Sequence, residues 1–85
     1  MPRIAFFYGI AIFMFYRDHN PPHVNVRYGG SKAVVQLSNG NVIAGRLPPK
    51  TAQTVRDWVL ANSTALRRNW QLARRHEPLM QIGGP

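Results

Sequence analysis

Eighty-five residues at 45% apolar content make one domain near the small end of what folds alone, with enough hydrophobic material for a single core. The lack of cysteine excludes a disulfide framework and thiolate metal sites, which leaves a reducing compartment, the cytoplasm, as the default. Eleven Lys and Arg stand against Asp18, Asp57 and Glu77, and a net charge of +8 draws polyanions: RNA, DNA, an acidic membrane face or an acidic protein.

The chain begins with an almost wholly apolar run, Ile4 to Tyr16, broken by Gly9. Its thirteen residues fall short of the roughly 20 that a membrane-spanning helix needs. Arg3 alone would have to serve as the basic region of a signal peptide, and no small-x-small cleavage site follows. Aromatic and β-branched residues dominate the run, so it reads as buried strand: residues 3–8 and 10–16 as a pair, or one long strand bent at Gly9. Arg17 to Pro22 is a loop rich in turn formers. His23 to Tyr28 then alternates, with Val24, Val26 and Tyr28 on one face and His23, Asn25 and Arg27 on the other. Gly29-Gly30 is a hairpin signal. Ser31 to Leu37 returns with Ala33, Val35 and Leu37 inward, and a turn at Ser38-Asn39-Gly40 precedes a short strand at Asn41 to Ala44.

Leu47-Pro48-Pro49 ends the sheet, and Pro49 suits the first turn of a helix. Val55, Trp58, Val59, Asn62 and Leu66 follow the stripe of an amphipathic helix. Asn62-Ser63 are capping residues that divide it into helices over 49–61 and 63–75. Leu66, Trp70 and Ala73 continue the apolar face of the second, with both Trp in the core and Arg67, Arg68, Arg74 and Arg75 outside. The expected fold is α+β: a small antiparallel sheet of about four strands with two C-terminal helices packed on one face. Residues 1–46 form the sheet, 47–76 the helical part and 77–85 the tail, with Gly83-Gly84-Pro85 loose. An exposed edge strand in so small a sheet would permit a homodimer.

Chemistry concentrates between Asp18 and Gly30. His19 and His23 flank a Pro-Pro corner, and imidazole titrates near neutrality. RNA cleavage by its own 2′-hydroxyl needs a base, an acid and a cation on the phosphate. His23 as base, His19 as acid oriented by Asp18, and Arg27 on phosphate would fill those roles without metal. The opposing reading is that loop histidines cap backbone groups and do no chemistry. A metal site built from Asp18, His19 and His23 lacks the helical geometry of zinc motifs, and the +8 charge disfavours a divalent cation, so no metal or other cofactor is expected. Tyr28 is either a stacking platform for a base or an inward core residue. Arg67, Arg68, Arg74 and Arg75 are either a phosphate grip or a face that docks an acidic protein.

The segment Asp18-His19-Asn20-Pro21-Pro22-His23-Val24-Asn25-Val26-Arg27-Tyr28-Gly29 resembles the D-H-x-P-P-H-x-H-V-x-Y-G signature of a family of short bacterial proteins of unknown function. Met1-Pro2-Arg3-Ile4, Gly9-Ile10, Gly45-Arg46-Leu47-Pro48 and Asn69-Trp70 carry the resemblance along essentially the whole chain. The resemblance implies a place in a two-gene cassette of the type II toxin–antitoxin kind. This basic chain would be the toxin, neutralised by a cognate small antitoxin and acting on RNA or the ribosome, as a metal-independent ribonuclease if it is an enzyme. One departure is Asn25, where the family usually has a second His. Asn25, Arg27 and Tyr28 would complete the active surface. The rival expectation is a non-catalytic module that binds nucleic acid or a partner, as a regulator does.

Overall fold

Turn formers cut the first half of the chain into five strands: β1 (Arg3–Phe7), β2 (Ile10–Phe13), β3 (His23–Tyr28), β4 (Ser31–Gln36) and β5 (Val42–Gly45). They pair in sequence order as one antiparallel meander. The architecture is that of a computed structural model, which describes residues 2–85. Two helices follow, α1 (Pro49–Ala61) and α2 (Ser63–Arg74), so the α+β class and the C-terminal placement of the helices match the sequence expectation.

The apolar run at the start is a strand pair. Tyr8 and Gly9 close it as a two-residue turn with positive φ at both positions, 53° and 77°, the type I′ hairpin. This raises the strand number from about four to five. A register shift between Arg3 and Ala5 leaves both Ile4 and Ala5 buried. Ile10, Ile12, Val24, Val26, Ala33 and Val35 line the covered face and meet Val55, Trp58, Val59, Leu66, Trp70 and Ala73 from the helices in one core. Phe7 packs against Trp58 at 5.1 Å between ring centroids. Not every aromatic of the run is core: Phe6 and Tyr8 are exposed, and Phe13 and Phe15 half-buried, because β1 and β2 have an uncovered second face.

Gly45 explains the exit from the sheet. It has φ +76°, and a Cβ there would stand 2.2 Å from the Lys32 carbonyl oxygen, so backbone alone fits between β4 and β5. Pro48 and Pro49 then start α1. Asn62 ends it, donating from Nδ2 to the Trp58 carbonyl at 2.9 Å, and makes no side-chain cap at the start of α2.

The segment after α2 is not loose. Asn69, fully buried, donates from Nδ2 to the Met80 carbonyl and accepts the Met80 N–H, both at 2.9 Å. The Trp58 indole donates to the Gly83 carbonyl at 2.8 Å, and the Ile82 N–H donates to Ile4 of β1 at 2.8 Å. Leu79 and Ile82 rest on the core. These backbone partners straighten residues that composition alone reads as tail, and they cover part of the β1 edge. The exposed edge is therefore β5.

Candidate nucleic-acid interface

The structure separates the residues singled out from the sequence into three places. The first is the Pro-Pro corner, whose Asn20–Pro21 bond is cis. There Asp18, His19 and His23 come together. Asp18 Oδ1 accepts the His19 backbone N–H at 2.9 Å, while Oδ2 lies 2.9 Å from His23 Nε2. His23 Nδ1 lies 2.7 Å from the Pro21 carbonyl oxygen. That oxygen can only accept, so Nδ1 carries a proton. Nε2 is turned to Asp18 Oδ2, so both ring nitrogens face protein partners and neither is open to a substrate.

His23 is also buried, at 4% side-chain exposure, with its ring 5.2 Å from that of Trp70. Strand alternation alone places it on the open face beside Asn25 and Arg27. Burial wins because His23 begins β3 immediately after the corner, where α2 closes over it. His19 differs: its side chain is 84% exposed, its Nδ1 lies 3.2 Å from the Asn20 carbonyl, and its Nε2 lies 3.7 Å from Asp18 Oδ1. The ring centroids of the two histidines are 5.4 Å apart. The corner thus offers one accessible imidazole, whereas the acid–base roles read from the sequence call on both histidines. Among the described residues no group of three or more His, Cys, Asp and Glu is arranged to hold a metal ion.

The second place is the uncovered face of the sheet. Alternation and register set two cross-strand rows on it. One runs Arg3, Phe13, Asn25, Val34 and Ala44, and the other Phe6, Ala11, Arg27 and Lys32. The Arg3 guanidinium lies 4.9 Å from the Phe6 ring centre, and that of Arg27 5.2 Å from Phe13. Each cation thereby lies against an aromatic ring, and both arginines are exposed. Phe15, Asn25, Arg27, Lys32, Val34 and Ala44 surround a shallow depression of about 190 Å3. The three acids lie elsewhere: Asp18 at the corner, Asp57 on α1 beside Gln53 at 2.8 Å, and Glu77 beyond α2.

The third place is α2 and its C-cap, where Arg67, Arg68, Arg74 and Arg75 are all exposed, in two columns away from the buried stripe. Tyr28 belongs with neither set. It ends β3 on the helix side but is 37% exposed, so it is not the core residue that alternation allows.

Sequence reasoning missed Arg3, Phe6, Phe13 and Lys32 as partners of Arg27. The signal was present in β2, where Ala11 and Phe13 fall out of phase with Ile10 and Ile12. It was masked because both faces of that strand carry apolar side chains.

The chain is a small α+β protein with one sheet face covered by helices and the other left cationic and aromatic. A family profile described as Domain of unknown function (DUF4160) matches residues 9–71, and the chain belongs to that family. The matched stretch contains the corner, β2 to β5, α1 and most of α2. Arg3, Phe6 and the segment that straps β1 lie outside it. No curated protein and no solved structure matches the chain. Among the described residues no helix is long and apolar enough to cross a membrane.

Proposed function

We propose that this protein binds single-stranded RNA on the open face of its sheet and inhibits growth by occupying that RNA or the translation machinery. It would act in the cytoplasm as the toxin-like half of a two-gene module, held in check by a small cognate partner. The growth-inhibiting role rests on the resemblance of the Asp18–Gly29 segment. The binding role rests on one observation, the face on which Arg3, Arg27 and Lys32 interleave with Phe6 and Phe13 while all three acids lie elsewhere. Guanidinium and ammonium groups neutralise phosphates, and exposed rings stack on unpaired bases, a combination that tolerates any sequence. Binding is favoured over cleavage because both nitrogens of His23 are engaged.

Fluorescence anisotropy with a labelled single-stranded RNA tests the binding role. Three phosphate contacts give a slope of log K against log salt near −2, since each contributes about −0.7 on single strands. Arg27→Ala shifts that slope by about 0.7 and leaves the RNA full length. Shortened RNA products, or wild-type affinity after Arg3, Arg27 and Lys32 are all replaced by Ala, would refute it. Induction of the chain alone in a bacterial host tests the growth role: arrest is expected from the wild type and not from the triple variant.

A further inference from the structure

The hairpin end of the sheet carries a strained aromatic that contact on the open face does not use. A type I′ turn favours Asn-Gly, since both central residues need positive φ. Gly9 meets that demand, but Tyr8 is held at φ 53°, where a bulky side chain is an outlier. Such residues persist where the rest of the fold imposes them, and they cluster at ligand sites. The Tyr8 ring contributes little to the fold, being 70% exposed with one edge-on aromatic neighbour, Phe7, at 6.0 Å.

Tyr28 is the second exposed ring at this end, and Gly9 lies against it: a Cβ on Gly9 would be 3.7 Å from Tyr28 Cε1. With Ile10, Pro48, Lys50 and Thr54 the two tyrosines line an open groove of about 450 Å3. Lys50 supplies the one charged group in its wall, whereas the groove on the other side of Tyr8 contains Asp57.

We infer that the groove between Tyr8 and Tyr28 is a nucleobase-stacking pocket, which takes one base of the RNA whose backbone lies on the open face. This inference rests on the RNA-binding role proposed above. Arg27 and Tyr28 are successive residues of β3 and point to opposite faces at the point where the strand ends. The Gly29-Gly30 turn beyond them has no side chain to bar the way, and a Cβ on either glycine would meet nothing within 4 Å. A strand with a phosphate on Arg27 can therefore carry its next base over the sheet's end onto Tyr28 and Tyr8, with Lys50 beside the following phosphate. Aromatic grooves also take proline-rich peptides. The lone Lys50 and the net charge of +8 favour the polyanion.

The test compares a dye-labelled oligouridylate with an abasic ribose-phosphate chain of the same length. Tyr8→Asn installs the residue that the turn prefers, so the variant folds, and thermal unfolding verifies it. Tyr8→Asn and Tyr28→Ala are each expected to weaken oligouridylate binding by about 5- to 150-fold, the measured range for one stacked base. Neither should change binding of the abasic chain. Equal oligouridylate affinity for the wild type and both folded variants overturns the pocket and leaves the RNA-binding role standing. Loss of binding to both chains in equal measure also overturns stacking. Failure of the wild type to bind either chain removes both the pocket and the RNA-binding role.

Discussion

Replacing His23 by Ala should cost stability first, whatever it does to activity. The substitution removes the hydrogen bond to the Pro21 carbonyl, worth about 1 kcal/mol, and the one to the Asp18 carboxylate, worth about 2 kcal/mol. It also opens a void against Trp70. Asp18 keeps 20% side-chain exposure, so water reaches the stranded carboxylate and the extra penalty of a fully buried charge is reduced. The two hydrogen bonds alone come to about 3 kcal/mol, against roughly 4–13 kcal/mol for the global stability of a domain of this size. With an m value of about 1 kcal/mol per molar, the urea midpoint falls by about 3 M. Growth arrest lost in His23→Ala would therefore not identify a catalytic base. Asp18→Asn separates the two roles. The amide oxygen still accepts the His19 N–H, and the amide nitrogen can donate to His23 Nε2, so the corner survives with a loss of about 1 kcal/mol. A structural corner predicts retained growth arrest and retained RNA affinity. Activity reduced 100-fold or more in Asp18→Asn, with the urea midpoint within 1 M of wild type, would refute that reasoning.

Asn69→Ala leaves the Met80 N–H and carbonyl without their partners and should cost about 2–4 kcal/mol, with faster amide exchange at Met80 and Ile82 than in α1. Gly45→Ala drives a methyl group into the Lys32 carbonyl and should cost about 3 kcal/mol, read as a lowered melting temperature together with loss of β5 protection in exchange. Tyr8→Asn relieves the strained turn by about 1 kcal/mol and should raise the melting temperature by roughly 4–8 °C, the opposite sign from its effect on oligouridylate binding. Asn25→His places an imidazole between Phe13 and Val34 on the open face; RNA affinity should then rise at pH 5.5 relative to pH 8, with the wild type as control.

Local periodicity carried most of the fold. The alternation of 23–28 and 31–37 and the helical stripe from Val55 to Leu66 each needed only neighbouring residues, and α1 falls on the expected 49–61. What the sequence hid depends on distant contacts. The phase of Phe6 and Phe13 was illegible because an apolar run looks the same whichever side a helix covers. Residues 79–84 read only as tail because their anchors, Asn69, Trp58 and Ile4, are far away in the chain. The exposure of His23 was misjudged for the same reason, since Trp70 lies in α2. In the candidate site, the grouping of Asp18, His19 and His23 was legible from their spacing. The engagement of both His23 nitrogens was not, because it depends on where the Pro21 carbonyl points.

The two densest motifs of the chain meet in space. Trp70 lies against His23, and Asn69, its neighbour on α2, holds the backbone that straps β1 through Ile82. The Asp-His-Asn-Pro-Pro-His corner and the Asn-Trp pair thus act as one clasp, which fixes the start of β3, the C-terminal half of α2 and the last segment relative to one another. A clasp of that kind has a use for buried polar groups without any reaction, because each hydrogen bond is satisfied in one arrangement and lost in others. It also holds β3 at the register that sets Arg27 beside Lys32 and diagonal to Phe13. The density of polar residues at the corner then reflects the demands of orienting a small sheet, and under the proposed RNA-binding role the ligand-facing work falls to residues that look unremarkable in sequence: a Phe out of phase, an Arg at a strand start, a Tyr where an Asn belongs.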